Sequence, residues 1–184
     1  MRPEIYPHTD HVLDRLWRPR AGGGSPEVYL LLDGARDGNV LPLIRRHWID
    51  HRCLFRGRLA PELAAAAPYL ISLGPRSTVT RALITKGWQR GWGVFVRSPA
   101  ILQDLVRHFR QFLRVEDEAG REFFFRFYDP RVLRVYLPTC TPEELRAFFG
   151  PVEIFSLEGE EEDTMLELFL KRGALDQRIV YVGG

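Results

Sequence analysis

Residues 28–39 read VYLLLDGARDGN, an unbroken apolar run that ends at Asp33 and passes into a loop with two glycines. A short continuous apolar run is typical of a strand buried on both faces, because a strand with one solvent face alternates apolar and polar residues. The loop carries the residue types that fill turns. The stretch therefore predicts a buried strand in a sheet that has helices on its faces.

Strands and helices alternate after this run. Apolar runs predict strands at 53–55, 69–73, 92–96 and 123–127, and helical periodicity predicts helices that begin near residues 40, 61, 77, 99, 130 and 142. Three further strands are predicted at 152–157, 164–170 and 178–182. The pattern predicts an α/β fold with a mixed β-sheet flanked by helices and a β-rich C-terminal end.

Three helices carry start signals. Ser98-Pro99 and Asp129-Pro130 each place a capping side chain before a proline at the first helical position. Thr141 and Glu144 have the spacing of a capping box. We expect helices to begin at all three places.

The chain has 184 residues, 45% of them hydrophobic and 27% charged, the balance of a globular protein. Its organisation is predicted as an N-terminal arm with a glycine-rich linker (1–27), an α/β domain (28–152) and a C-terminal β extension (153–184). Within the arm, Val12, Leu13, Leu16 and Trp17 share one helical face and predict a short docked helix.

Charge and targeting signals limit the partners. The net charge is +2, two of the 26 basic residues are lysines, and the arginines are interspersed with acids, so we expect no nucleic-acid partner. A GC-rich genome explains the arginine bias first, although arginine also suits interfaces. No apolar run approaches the roughly 20 residues that span a bilayer, and the N-terminus has no signal-peptide core. We expect a cytoplasmic protein with no membrane partner and with Cys53 and Cys140 as free thiols.

Catalytic signals are weak. Asp33, Asp37 and Arg126 form the alternative hypothesis of an enzyme for a small phosphorylated ligand, although no phosphate-binding glycine motif is present. The favoured interpretation is that the aspartates cap turns and that Arg126 pairs with Asp33 or Asp129. His47, His51 and Cys53 have a loose zinc spacing without a recognised motif. We expect no catalytic residue, metal or cofactor.

The segment GWQRGWG (87–93) is the main candidate for partner binding, because tryptophan and arginine dominate interface hot spots. Trp88, Arg90 and Trp92 are therefore candidate contacts, although Trp92 is expected to be a core residue. Arg131 and Arg134 are further candidates. A second hypothesis is strand addition at an exposed edge within 152–182.

Several motifs together resemble a known family: YLLLDGAR (29–36), LFRG (54–57), APYLISL (67–73), GWQRGWGVFVRSP (87–99), FRFYDPRVL (125–133) and FFGPV (148–152). They are similar to the type VI secretion effector chaperones, also called effector adaptors, a family long catalogued as a domain of unknown function. The resemblance covers residues 28–152, and its most specific part runs from FRFYDPRVL to FFGP.

The resemblance implies a non-enzymatic adaptor that binds one cognate toxin effector and hands it to the VgrG-type spike protein. It implies no catalytic residues and no cofactor. The motif residues are interpreted as turn, cap and ion-pair positions: Asp33, Arg36, Pro68, Arg126, Asp129, Pro130, Gly150 and Pro151.

Overall fold

Helices and strands alternate through the first half of the chain. The computed structural model describes residues 7–19, 23, 25–47, 49–116 and 119–183. The first half contains α1 (Pro7–Leu16), β1 (Val28–Asp33), α2 (Val40–Arg46), β2 (His51–Cys53), α3 (Pro61–Ala66), β3 (Pro68–Leu73), α4 (Thr78–Gly87) and β4 (Gly93–Arg97). The second half contains α5 (Leu102–Phe109), β5 (Arg114–Glu116), β6 (Glu122–Phe124), α6 (Pro130–Tyr136), α7 (Pro142–Phe149), β7 (Ile154–Glu158), β8 (Thr164–Lys171) and β9 (Ala174–Tyr181). The predicted α/β class with a β-rich end is confirmed.

Seven strands form one sheet in the order β2–β3–β1–β4–β7–β8–β9. The pairs are antiparallel throughout, so the parallel component of the predicted mixed sheet is absent from the described strands. The reason is the place of β1. Strands β3 and β4 run in the same direction and are joined through α4, as in a parallel crossover, but β1 lies between them and runs the opposite way.

Strand β1 is buried along its whole length, as its continuous apolar run predicts. Tyr29 and Leu31 pack into one hydrophobic cluster, and Leu30 and Leu32 pack into another on the opposite face. The two clusters are covered by different helices, so β1 is the centre of a three-layer arrangement.

Helices α5, α6 and α7 cover one face of the sheet, and α1, α2 and α4 cover the other. The predicted apolar face of α1 is confirmed: Val12, Leu13 and Leu16 are buried in the second cluster, and Trp17 packs at its edge. No helix in the described part of the chain is long and apolar enough to cross a bilayer.

The segment after residue 153 extends the same sheet, because β7 pairs with β4 at Phe95 and Ser156. The N-terminal helix is also fastened to this segment: the guanidinium of Arg15 donates through Nε to Oε1 of Glu167 in β8, at 2.6 Å. The first six residues of the predicted arm and half of its linker (21–26) lie outside the described residues.

Two of the three predicted helix starts are confirmed. The carboxylate of Asp129 accepts from the backbone N–H of Arg131 at the start of α6, and Thr141 and Glu144 form a capping box at α7. The prediction for Ser98 is wrong, since α5 begins at Leu102. The Ser98 hydroxyl instead donates to the carbonyl oxygen of Pro151 at 2.7 Å and accepts from the N–H of Ala100.

The predicted strand at 123–127 is mostly wrong. Only its first two residues belong to β6, which pairs with β5 in a separate two-stranded hairpin. The chain then leaves strand geometry because Phe127 enters the core with no exposed surface and Arg126 turns towards Asp33. Long-range packing therefore overrides the high β-propensity of the phenylalanine run.

Candidate functional site

Two motif loops meet at the carboxylates of Asp33 and Asp129. Asp33 is the last residue of β1 and Asp129 is the N-cap of α6. They are 1% and 2% exposed. A buried carboxylate is strongly disfavoured unless charged and hydrogen-bonding partners surround it, so their surroundings decide what this site does.

Three arginines supply those partners. Nη2 of Arg126 lies 2.5 Å from Oδ2 of Asp33 and 3.9 Å from Oδ2 of Asp129. Arg36 contacts both carboxylates: its Nη2 donates to Asp129 and its Nε lies 3.5 Å from Oδ2 of Asp33. Arg131 binds Asp129 through two nitrogens, Nε at 3.0 Å and Nη2 at 2.8 Å.

Backbone groups complete the shell around these two acids. The N–H of Ala35 donates to Oδ1 of Asp33, and the N–H of Arg131 donates to Oδ1 of Asp129. The pKa of Arg126 is raised, first by its hydrogen bond to Asp33. The predicted pairing of Arg126 with Asp33 or Asp129 is therefore confirmed, with Asp33 as the nearer partner. The network fastens the loop after β1 to the start of α6.

The other motif residues allow the segments near this network to pack closely together. A Cβ on Gly34 would lie 2.5 Å from the carbonyl oxygen of Ala67, so the loop after β1 needs glycine there. Pro68 pairs with Asp33 at the start of β3. Gly150 ends α7 with a φ of +48°, and the next residue, Pro151, accepts the Ser98 hydroxyl.

Asp37, the third member of the enzyme hypothesis, makes its contacts inside its own turn. Its Oδ1 accepts from the backbone N–H and the side-chain amide of Asn39, at 2.8 and 3.0 Å. The structure thus brings Asp33 and Arg126 together and leaves Asp37 paired locally.

Of the two histidines considered for zinc, His47 is exposed and His51 has another contact. Nδ1 of His51 lies 2.7 Å from the carbonyl oxygen of Ile49, and burial raises the pKa of the Cys53 thiol, which disfavours the thiolate that zinc requires. Within the described residues, no group of three His, Cys, Asp or Glu side chains is placed to hold a metal ion.

The tryptophan segment is divided between core and surface. Trp92 is 5% exposed and packs in the cluster under α4. Trp88 is half-buried, and its Nε1 donates to the carbonyl oxygen of Glu162 at 3.4 Å, while Arg90 is exposed. Their role in partner binding stays a prediction, but Trp92 can contribute only through the core.

The carbonyl oxygen of Glu158 accepts from Nη2 of Arg134. Burial raises the pKa of the Glu158 carboxyl. The backbone N–H groups of Gly91 and Gln89 hydrogen-bond to it and lower the pKa by less. Arg134 is thereby bound to the end of β7, whereas the side chain of Arg131 is 63% exposed. Arg131 is also engaged, because its Nε and Nη2 bind Asp129, so the role of both arginines in partner binding stays a prediction.

The structure has an exposed apolar surface that the sequence did not predict, because the phenylalanine run at 123–127 was interpreted as a strand of the main sheet. Phe124 is 61% exposed and Leu63 is 49% exposed. They line a groove of about 410 Å³ with Leu54, Phe55, Arg56, Leu59, Arg110, Leu113 and Arg114. The turn residues between two short β runs at 114–116 and 122–124 were the available signal for this hairpin.

The sheet also ends in an open strand. Strand β9 pairs with β8 and has no further neighbour among the described strands, and its Ile179 is 69% exposed. Strands β7 and β8, by contrast, are internal. The hypothesis of strand addition within 152–182 is therefore restricted to β9.

Comparison with known proteins gives one match. The family model described as "Domain of unknown function (DUF4123)" matches residues 28–147, the segment that contains β1 to β6 and most of α7. No curated protein and no solved structure matches the chain. The matched segment includes every residue of the Asp33–Asp129 network.

Proposed function

The chain belongs to the DUF4123 family, which is associated with type VI secretion effector adaptors, and we propose that it binds one cognate toxin effector and loads it onto the VgrG-type spike protein. It would do so in the cytoplasm of the producing cell and without catalytic turnover. The observation that carries this proposal is the family match, which includes the two loops of the Asp33–Asp129 network.

The arrangement of charges supports a binding role. In the network, guanidinium groups and backbone N–H groups of the chain itself occupy the carboxylates of Asp33 and Asp129. Such a cluster fixes the scaffold, because the acids already have their partners. Recognition is then expected from surfaces outside the network.

Exposed apolar side chains provide such surfaces. The described residues include eight large exposed ones: Leu63, Ile101, Val115, Phe123, Phe124, Val135, Ile179 and Tyr181. Four of these lie on the β5–β6 hairpin and the nearby helix α3. Clustered exposed apolar groups mark interaction sites in soluble proteins.

The open strand β9 supplies a second surface that fits the task. An exposed edge can accept an extended segment of another protein through backbone hydrogen bonds. The variants Ile179→Lys and Tyr181→Lys should each weaken effector binding. Val135→Lys on α6, at an equally exposed apolar position, is the matched control and should leave effector binding unchanged. Equal effector binding by all three proteins would remove β9 from the proposal and leave the adaptor function standing.

Deletion of the gene tests the function. Quantitative mass spectrometry of the secreted fraction should show the loss of one toxin, while the tube and spike proteins are still secreted and the wild-type gene restores the toxin. Purified chain, that toxin and the spike protein should then form a ternary complex. A secreted fraction that is unchanged by the deletion, or a host without type VI machinery, would contradict the proposal.

A further inference from the structure

The groove beside the β5–β6 hairpin, here called the Phe124 groove, has an apolar floor and an exposed apolar wall. Leu54 and Leu113 are buried at its base. Phe124 of β6 and Leu63 of α3 lie on either side of it and are 61% and 49% exposed. Its volume of about 410 Å³ lies in the range of binding pockets, about 300–1,000 Å³.

The groove is held open by contacts within the chain. Nε and Nη2 of Arg110 donate to the backbone carbonyl oxygens of Leu54 and Cys53, at 3.0 and 2.9 Å. The rings of Phe55 and Phe124 lie 5.4 Å apart between centroids. These contacts fix the loop of the LFRG motif against α5 and the hairpin, so the cost of ordering the site on binding is reduced.

The charges around the groove have one sign. The charged residues that line it are Arg56, Arg110 and Arg114. Arg114 is paired with Glu122 at 3.0 Å, whereas Nε and Nη2 of Arg110 donate to neutral carbonyl groups, which leave its charge uncompensated. Arg56 is exposed and makes no ion pair within the described part of the chain. Among the residues that the structure describes, no acid therefore neutralises the charges of Arg56 and Arg110.

We propose that the Phe124 groove binds a segment of the effector that combines apolar side chains with carboxylates. The apolar side chains would fill the space between Leu63 and Phe124, and the carboxylates would pair with Arg56 and Arg110. This inference rests on the proposed adaptor function, from which the partner is taken. Residues far apart in sequence, from α3, the segment that follows α5, and β6, form the site. Binding to it therefore requires the folded chain.

Binding of the identified effector to purified full-length variants tests the groove. Leu63→Glu and Phe124→Glu place a carboxylate in the apolar wall and should each weaken binding at least about tenfold, as expected for loss of an interface anchor. Ile101→Glu is the matched control, because Ile101 is similarly exposed but lies at the opposite end of α5. Circular dichroism and thermal melting verify that each variant is folded.

The charge requirement has its own pair of variants. Arg56→Glu should weaken effector binding about tenfold, whereas Arg76→Glu, a reversal at an exposed arginine in the turn before α4, should not. Added salt should weaken effector binding by the wild type more than by Arg56→Glu. Salt screens the attraction between Arg56 and the effector carboxylates, and the variant lacks that attraction. Full effector binding by the folded groove variants overturns the proposal while the adaptor function stands.

A second probe separates failure of the groove from failure of the function. A fluorescein-labelled helical peptide with leucines at i, i+3, i+4 and i+7 and glutamates elsewhere should bind the wild type, and the same peptide with lysines should not. Peptide binding that Leu63→Glu abolishes supports the groove even if no effector is secreted through the chain. Absence of peptide binding, or a groove-dependent dimer of the chain in sedimentation analysis, overturns it.

Discussion

Arg15 and Glu167 form an ion pair between the N-terminal helix and the strand next to the open edge of the sheet, 152 residues apart in sequence. Glu167 is buried in β8, and Arg178 of β9 lies 3.6 Å from its other oxygen. The two ends of the chain are thereby joined on the face that α1 covers. Met165 and Val182 pack in the same cluster as Val12. Apolar contacts and an ion pair therefore both attach α1 to the C-terminal strands.

Removal of the Glu167 carboxylate should release this connection. We expect Glu167→Ala to lower the free energy of unfolding by about 3 kcal/mol, because breaking a buried pair leaves Arg15 without its counter-charge. Arg178→Ala, at a largely exposed arginine, should cost about 1 kcal/mol or less. Urea denaturation gives both values, and faster amide exchange in α1 should accompany only the first. Similar losses in the two variants would contradict the assignment.

The Asp33–Asp129 network makes a graded prediction. Asp129→Ala removes both the cap of α6 and the partner of three arginines, so we expect a loss of about 3 kcal/mol. Asp129→Asn keeps an acceptor for the N–H of Arg131 and should cost less. Asp37→Ala, in the same loop region as Asp33 but only half-buried and paired within its own turn, should cost about 1 kcal/mol at most. Chemical denaturation measures the loss of unfolding free energy in the three variants, and a different ranking would contradict the structural role of Asp129.

His108 predicts a pH dependence of stability. Burial lowers its pKa below the ordinary 6.5, and its Nε2 lies 2.8 Å from the carbonyl oxygen of Phe148. The unfolded chain therefore binds the proton more readily, and stability should be highest above pH 6.5 and fall as the pH drops below that value. Melting temperatures between pH 5 and 8 test this, and His108→Gln should flatten the acidic slope of the wild type.

Two glycines form a matched pair for the close approach of β1 and β4. A Cβ on Gly93 would overlap the carbonyl oxygen of Leu31 in the neighbouring strand, whereas a Cβ on Gly38 meets nothing within 4 Å. Gly93→Ala should cost more than about 3 kcal/mol or prevent soluble expression, since backbone cannot move aside locally. Gly38→Ala should leave the melting temperature nearly unchanged. A stable Gly93→Ala protein would show that the two strands can separate without loss.

Local signals in the sequence were sufficient for part of the fold. The caps at Asp129 and Thr141 were predictable because the capping side chain and its acceptor or donor lie within three residues. The full burial of β1 was also predictable from its unbroken apolar run. In each case the decisive contact, or the decisive pattern, is contained in one short segment.

Long-range contacts determined the parts that could not be predicted. The hydroxyl of Ser98 is taken by Pro151, 53 residues away, which no local capping rule contains. The strand directions could not be predicted from the sequence either, because the position of β1 between β3 and β4 depends on how the whole sheet assembles. At the site, pairing of Arg126 with Asp33 was foreseen, but the role of Arg36 as a bridge and the exposure of Phe124 depend on how separate loops meet.

The position of β1 constrains the order of events during synthesis. Its two neighbours, β3 and β4, are both translated after it, so the apolar run at 28–32 emerges from the ribosome long before its partners do. Nascent chains that stall ahead of Gly93 should remain sensitive to protease, because half of the hydrogen-bonding edge of β1 is still vacant. Strand β1 is thus synthesised before both of its neighbours and is paired on both sides only after β4 has been made.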